Sequence, residues 1–125
     1  MSVLPLRDRT YLQQRGIVFQ EIDGPQKGVI FPDYVLPCQR FDVALARILI
    51  MLPPGYPDVR PDMFYALPWL KLVNGNKYPK AADVPVEYHG ETWQRWSRHS
   101  DEWRPGVDGI WTMLRRIDTA LEEAA

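Results

Sequence analysis

The apolar positions of the chain repeat with helical spacing near its end and form short β-type runs in its first half. One face of a helix over 107–123 would carry the apolar residues Val107, Ile110, Leu114, Ile117 and Leu121. Pro105 and Gly106 precede this repeat and indicate where the helix starts, and Asp108 is a candidate first-turn acid or cap. The pattern therefore predicts an amphipathic C-terminal helix.

Four earlier segments have the composition of β-strands. They are residues 17–22, 29–36, 41–52 and 63–67, which are rich in β-branched, aromatic and other apolar side chains. Glycine and proline in 23–28 predict a turn, so the first two segments should form a hairpin. The third segment also contains helix-forming residues. We assign it to a strand because two strands precede it and an extended, proline-rich segment follows.

The rest of the chain completes an α+β arrangement. The residues before Gly16 predict a short N-terminal helix over 6–15, whose apolar side would carry Leu6, Tyr11 and Leu12. Prolines mark 77–87 as a loop, and 92–106 has no clear period, so we assign it to an irregular section. The chain is thus expected to form a single domain over 1–125, a four-stranded antiparallel meander sheet with a short N-terminal helix and a C-terminal helix on one face.

A proline-rich segment over residues 52–64 separates the third and fourth predicted strands. Its prolines are Pro53, Pro54, Pro57 and Pro61. Proline fixes φ, donates no backbone hydrogen bond and pushes the residue before it to an extended conformation. We therefore expect a stiff, extended connector that holds the flanking strands at a fixed angle.

Composition and charge narrow the functional classes. The chain has 125 residues and a net charge of −1, so no global field draws it to nucleic acid or to a membrane. No stretch approaches the roughly 18 apolar residues of a membrane span, and the N-terminus lacks the apolar core of a signal peptide. Cys38 is the single cysteine, which excludes an internal disulfide and is typical of a reducing compartment. We expect a cytoplasmic protein with no nucleic-acid or membrane partner.

The most specific motif of the chain lies in the proline-rich segment. The third predicted strand is followed by P-P-G-Y-P, then by a further proline and by Phe64, and W-R-P precedes the last helix. The motif residues are Pro53, Pro54, Tyr56, Pro57, Pro61, Trp103 and Pro105. This order resembles the signature of the ubiquitin-conjugating enzyme (UBC) family, and the resemblance covers nearly the whole chain. It is closest to the small bacterial UBC-like proteins associated with ubiquitin-like modifiers and ThiF-type activating enzymes.

The resemblance implies a UBC-like fold and a carrier role in a bacterial ubiquitin-like protein conjugation pathway. A transferase of this kind receives the C-terminus of a ubiquitin-like modifier from a ThiF-type activating enzyme and passes it to a protein target. The resemblance also implies that the N-terminal helix and nearby loops bind the activating enzyme. ATP would be used by that enzyme, so we expect no cofactor in this chain.

The sequence departs from the family pattern where the chemistry is done. Typical members carry His-Pro-Asn before the active site and a catalytic cysteine shortly before the Trp-x-Pro element, and neither is present. The corresponding position falls near Arg95, Trp96 and Ser97, whereas Cys38 precedes the third predicted strand. Residue type therefore excludes a thioester at the family position.

Ser97 and His99 are the candidates to replace the missing cysteine chemistry. A serine hydroxyl needs a base within hydrogen-bond reach, and on a strand residues i and i+2 share one face. We therefore expect Ser97 to carry the modifier as an oxyester and His99 to act as the base, oriented by Asp101 or Glu102. The alternative is that His99 is a structural hydrogen-bonding residue and Ser97 a solvated loop residue. His89 is a weaker second candidate for the base.

Two other functional classes remain open. The first is a non-catalytic UBC-like or RWD-like adaptor, which binds the activating enzyme or the modifier without forming an adduct. The second is a stand-alone Ser/His hydrolase, which has the weakest case because the chain has no nucleophile elbow. An adduct with the modifier would separate the carrier from the adaptor, and turnover of small esters without a partner would indicate the hydrolase.

Tryptophans and arginines alternate before the last helix, which suggests a surface for stacking on bases. The residues are Trp93, Trp96 and Trp103 with Arg95, Arg98 and Arg104. Because Glu91, Asp101 and Glu102 neutralise much of this charge, we favour a tryptophan-rich lid that packs on the sheet. The two histidines and distant Cys38 match no metal-ligand spacing, and no glycine-rich phosphate loop is present. Cys38, beside Pro37, is expected to be a loop or strand-end residue rather than a nucleophile.

Overall fold

In the computed structural model of the protein, the described residues form two helices that pack on an antiparallel sheet of six strands. The structure describes residues 3–99 and 102–125. The elements are α1 (Leu6–Gln14), β1 (Gln20–Ile22), β2 (Gly28–Val35), β3 (Leu45–Met51), β4 (Phe64–Leu67), β5 (Val84–Tyr88), β6 (Glu91–Trp96) and α2 (Ile110–Glu123). Within the described ranges, neither helix is long and apolar enough to cross a membrane.

The strand order is β1-β2-β3-β4-β6-β5, with every neighbouring pair antiparallel. The meander from β1 to β4 confirms that part of the prediction, but the sheet has six strands rather than four. The segment 77–87, predicted as a loop, contains most of β5, and 92–106, predicted as irregular, begins within β6. The prolines concealed β5: Pro85 is tolerated because β5 is an edge strand, where a missing N–H need not break a ladder.

The β5–β6 connection is a two-residue turn at His89 and Gly90. Both residues have positive φ, +51° and +77°, as expected for a type I′ hairpin turn. This conformation is usually signalled by Asn-Gly or Asp-Gly, and here a histidine takes the first of the two positions. The hairpin therefore lacked its usual sequence signal.

The helices cover one face of the sheet, which we call the helix-covered face. The main core cluster there includes Leu12 from α1, Ile110, Ile117 and Leu121 from α2, and Val29, Phe31, Ile48, Ile50, Phe64 and Trp96 from the sheet. A smaller cluster on the opposite face is formed by Ile22, Ile30, Leu49, Tyr88 and Trp93. Because β3 contributes to both clusters, its apolar run is continuous rather than alternating, which explains why helix and strand were hard to separate there.

The helix boundaries correct two details of the prediction. Gly16 follows α1 with φ of +66°, as predicted for a helix stop, but Leu6 is 71% exposed and does not belong to the apolar side. The last helix begins at Ile110 rather than at 107, because Gly109 is extended and occupies the N-cap position. Val107 lies in the preceding turn and is 52% exposed, so it is not part of the apolar face.

The proline-rich segment connects β3 to β4 as predicted, but it is not uniformly extended. The amide of Tyr56 donates to the carbonyl of Pro53 (3.1 Å), and those of Asp58 and Val59 donate to the carbonyl of Gly55 (2.8 and 3.1 Å). Gly55 has φ of +92°, and a Cβ there would lie 2.8 Å from Cγ2 of Val59. The glycine in the motif therefore permits a compact turn between the prolines.

Gln94, on β6, is fully buried under the helix-covered face and uses its whole amide. Its Oε1 accepts the amide of Leu70 (2.8 Å) and Nε1 of Trp96 (3.0 Å). Its Nε2 donates to the carbonyls of Leu70 (3.0 Å) and Ala82 (2.8 Å). This side chain therefore joins the β4–β5 connection to β6, the strand that leads to Ser97.

Candidate functional site

The proline-rich segment meets both helices through one buried carboxylate. Tyr56 donates its hydroxyl hydrogen to Oδ2 of Asp8, in the first turn of α1, and Oδ1 of Asp8 accepts the amide of Ile110 at the start of α2 (3.3 Å). Gly109 permits this approach, since a Cβ there would lie 2.8 Å from Oδ1 of Asp8. The motif tyrosine thus joins the segment to α1 and α2.

Burial governs the ionisation of this junction. Desolvation raises the pKa of Asp8 above its usual range, against the opposing effect of its hydrogen bonds from Tyr56 and Ile110. Burial and the neighbouring carboxylate also raise the pKa of Tyr56. Asp8 is buried, Tyr56 is partly buried, and the groups are hydrogen-bonded to each other, which is the arrangement of a structural link rather than of a catalytic site.

The two halves of the sequence motif contact each other. Nε1 of Trp103 donates to the carbonyl of Pro57 (2.8 Å), and the rings of Trp103 and Tyr56 lie 6.4 Å apart. Pro105 begins the turn that leads towards α2, and Pro61 is buried. The Trp-x-Pro element therefore packs directly on the proline-rich segment.

Ser97 and His99 both follow β6, and each contacts the end of the proline-rich segment. Oγ of Ser97 is 3.7 Å from Sδ of Met63, and its amide donates to the carbonyl of Ala81 (3.0 Å). Nδ1 of His99 lies 2.9 Å from Oδ1 of Asp62. These two candidates, both in the described part of the chain, are not hydrogen-bonded to each other, so the structure brings them to one region without forming a Ser–His pair.

Asp62 is the carboxylate beside His99. The hydrogen bond from His99, and to a smaller extent Arg60, lowers the pKa of Asp62. An ionised carboxylate can only accept, so Nδ1 must carry the proton in this contact, and in the neutral imidazole Nε2 is left as an acceptor. Among the described residues it is Asp62 rather than Glu102 that bonds His99, and Asp101 lies outside those residues.

Sequence reasoning missed Asp62 because it did not recognise β6 as a strand. Phe64 of β4 pairs with Trp96 of β6, so the residues just before β4 lie beside those just after β6. With that pairing known, an acid two residues before Phe64 becomes a neighbour of the segment containing His99. The missing information was thus a strand register rather than a motif.

The other candidate residues lie away from Ser97. His89 forms the turn before β6 and Ser97 follows that strand, so the two residues flank its opposite ends. Cys38 is exposed in the β2–β3 connection, and among the described residues no hydrogen bond or ion pair joins it to Ser97 or His99. Of the three residues near which the resemblance puts the nucleophile, Trp96 is fully buried, whereas Arg95 and Ser97 are partly exposed.

The tryptophan–arginine section forms a strand and a packed segment rather than a lid. Trp93 and Trp96 are both fully buried, in the clusters on opposite faces of β6, and Trp103 contacts Pro57. Arginines stack on all three rings, at 5.0 to 5.7 Å from the ring centroids. In the described ranges, no group of three His, Cys, Asp or Glu residues is placed to hold a metal ion.

A comparison with protein families agrees with this arrangement. The fold and the joined halves of the motif define a UBC-like, or E2-like, protein, and the family model described as prokaryotic E2 family E matches residues 4–124. The chain therefore belongs to prokaryotic E2 family E, which supports a conjugating-enzyme-like role. Searches of the curated proteins and of the solved structures each found no match.

Proposed function

We propose that the chain acts as the carrier of a ubiquitin-like modifier and holds it as an oxyester on Ser97. The observation that carries this proposal is the Asp62–His99 hydrogen bond beside Ser97. This bond leaves Nε2 of a neutral His99 able to accept a proton. His99 is two residues after Ser97, near which the family resemblance puts the nucleophile. Family membership supports the general conjugating-enzyme-like role.

In the loading step, Oγ of Ser97 attacks the carbonyl carbon of the modifier, which arrives as a thioester on the activating enzyme. Nε2 of His99 takes the hydroxyl proton, the carbon–sulfur bond breaks, and the departing thiolate receives the proton. In the transfer step, an amine or hydroxyl of the target attacks the oxyester, Nε2 of His99 takes the proton of the attacking group, and the bond to Oγ of Ser97 breaks. His99 then returns a proton to Ser97, so both steps balance.

This mechanism requires the Ser97 hydroxyl to turn. Its Oγ contacts Sδ of Met63, and a sulfur acceptor forms only a weak hydrogen bond. The hydroxyl would have to leave that weak contact and bond Nε2 of His99. Asp62 keeps the imidazole in one tautomer while this happens, since the carboxylate accepts from Nδ1.

The proposed surface for the ThiF-type activating enzyme includes α1 and the turn before α2. The guanidinium of Arg7 donates to the carbonyl of Gly106 (2.7 Å) and lies 5.1 Å from the ring of Trp111. These contacts join α1 to that turn. Leu6 and Val107, the exposed apolar residues next to these contacts, would provide apolar area for the partner. The chain would act with this enzyme, the modifier and protein targets in the cytoplasm, as one UBC-like domain.

A non-catalytic adaptor is the second candidate, and one observation favours it. The Ser97 hydroxyl bonds Met63 instead of His99. In that case the Asp62–His99 bond would only stabilise the start of the section after β6. Binding of the activating enzyme or modifier would then occur without an adduct.

Intact-mass analysis tests the two candidates. The chain is mixed with its activating enzyme, the modifier and ATP, and a species heavier by one modifier minus water is sought. We expect an adduct on Ser97 that resists thiol and is cleaved by hydroxylamine. Ser97→Ala should abolish it, Ser97→Cys should convert it to a thiol-sensitive adduct, and Thr92→Ala, in the preceding strand β6, should leave it unchanged.

Two outcomes would contradict the carrier proposal. An adduct on Cys38 that thiol cleaves would place the chemistry elsewhere in the fold. No adduct, when the activating enzyme itself is charged, would favour the adaptor. The variant His99→Gln tests the base separately from the nucleophile. It should lose the adduct, whereas Ser97→Cys should still form one, because a thiol needs less help to ionise.

A further inference from the structure

A pocket of about 410 Å³ lies between the section after β6 and the C-terminal half of α2. Residues that line it include Arg98, His99, Arg115, Arg116, Thr119 and Glu123. His99 thus borders this pocket and also bonds Asp62, next to Ser97. Whatever occupies the pocket would lie beside the proposed transfer site.

The arginines of this pocket have unused hydrogen-bond donors. Each guanidinium carries five N–H groups. Arg98 donates to the carbonyl of Ser97 (2.9 Å), and Arg116 donates to the carbonyl of Glu102. In the described part of the chain, Arg115 has no side-chain hydrogen bond, and none of the three arginines forms an ion pair with a carboxylate.

The charge of the pocket differs from that of the whole chain. Three arginines and one acidic residue, Glu123, line it, although the chain has a net charge of −1. Arg98 is partly buried, and that burial lowers the pKa of its guanidinium. An anion in the pocket would offset this desolvation and satisfy the free donors, since arginine binds carboxylates through two parallel hydrogen bonds.

We propose that this arginine pocket, formed by Arg98, Arg115 and Arg116 beside His99, binds the carboxylates of an acidic polypeptide segment in the protein target. We assign the pocket to the protein target rather than to the modifier, because His99 must take the proton of the target's attacking group in the transfer step. A target whose nucleophile approaches His99 brings its neighbouring residues to the pocket. The identity of the partner rests on the proposed function, whereas the binding chemistry does not.

Fluorescence anisotropy with labelled peptides tests the pocket directly. The probes are an octapeptide of alternating Gly and Glu and the same peptide with Lys in place of Glu. We expect the protein to bind the Glu peptide alone and its affinity to fall as salt is added. Arg115→Glu should weaken binding at least about tenfold, because it replaces a charge-assisted hydrogen bond with a repulsion.

Arg15→Glu is the matched control. It makes the same change in net charge at the exposed end of α1, where the guanidinium stacks on Tyr11, and it should change the affinity less than about twofold at 0.15 M salt, where exposed charges more than a Debye length apart are screened. Equal weakening by both variants would show that only net charge matters and would overturn the proposal. So would equal binding of the Glu and Lys peptides, or binding of inorganic phosphate with no binding of the Glu peptide.

The same measurement separates this inference from the carrier proposal. Peptide binding needs no activating enzyme, modifier or ATP, and Ser97→Ala should bind the Glu peptide as the native chain does. Peptide binding without any modifier adduct would contradict the carrier proposal alone. A Ser97 adduct with no affinity for the Glu peptide would overturn the pocket assignment alone.

Discussion

Asp8 and Asp62 each form a hydrogen bond that involves the proline-rich segment, yet they differ in burial and in the direction in which their pKa is shifted. Asp8 is buried and bonds the hydroxyl of Tyr56, which belongs to the segment. Asp62 belongs to the segment, is about half exposed and bonds the ring of His99. Burial raises the pKa of the first, and its partner lowers the pKa of the second. The carboxylate that joins the helices, Asp8, is thus buried with a raised pKa, whereas Asp62, which bonds the candidate base, is exposed with a lowered pKa.

This difference predicts opposite effects of pH on stability. Because the pKa of Asp8 is raised on folding, the folded state holds its proton more tightly. Its stabilising effect is complete below the unfolded pKa of about 3.9 and is lost as pH rises through the folded pKa. The lowered pKa of Asp62 works the other way: its effect is present above the unfolded pKa and is lost as pH falls through the folded value.

The largest expected effect is that of Gln94→Leu, which extends the comparison to a second buried polar group. The change leaves four buried partners of the amide unsatisfied, so the free energy of unfolding should fall by at least about 3 kcal/mol. Denaturant unfolding measures it. Gln20→Leu, on the exposed side of β1, is the control and should stay within about 0.5 kcal/mol of the native chain.

Asp8→Ala should have the next largest effect. It removes the acceptor of the partly buried Tyr56 hydroxyl and of the buried Ile110 amide, and should cost about 2–3 kcal/mol of unfolding free energy. Gln13→Ala, exposed on the same helix, should cost less than about 0.5 kcal/mol. Equal losses in the two variants would show that the junction contributes no more than an ordinary surface position.

Asp8→Asn sharpens the comparison through pH. Asparagine keeps an oxygen for the Ile110 amide but cannot ionise. Because ionisation of buried Asp8 is unfavourable in the folded state, the variant should gain stability relative to the native chain as pH rises above about 4. Unfolding curves at several pH values measure this trend. A relative loss with rising pH would mean that the ionised carboxylate stabilises the junction.

The smallest effect is the one closest to the proposed chemistry. His99→Ala should return the pKa of Asp62 towards 3.8, because the histidine is the main cause of its lowering. Stability should change by less than about 0.5 kcal/mol, since both side chains are about half exposed. Carboxyl NMR titration measures the pKa, and Arg60→Ala should move it less. An unchanged pKa in His99→Ala would remove the basis for an oriented His99.

The sequence predicted the elements whose apolar residues repeat regularly. It missed those whose burial depends on contacts with residues distant in sequence. The face of α2 from Ile110 to Leu121 and the first four strands follow from apolar spacing. The strand β6 could not be predicted in this way, because its buried residue Gln94 is polar. The burial of Gln94 depends on its hydrogen bonds with Leu70 and Ala82, which are distant in sequence. Asp8 resembles a surface residue of α1 for the same reason.

The candidate site was predicted in part. Ser97 and His99 were found from residue type and from the family motif, and their catalytic roles stay predictions. Asp62 could not be found, because its contact with His99 depends on the pairing of β4 with β6. The arginine pocket depends on how α2 crosses the section after β6, which no local pattern encodes.

The exposed thiol of Cys38 allows the native chain to be labelled with a fluorescent dye at one defined position. It is the single cysteine, so a maleimide dye would attach at one position without any substitution. Two residues later, the guanidinium of Arg40 holds the carbonyls of Leu121 and Ala124 at the end of α2. A dye at Cys38 would therefore sense the docking of that helix end, and partner binding could be followed without substituting the residues proposed to react.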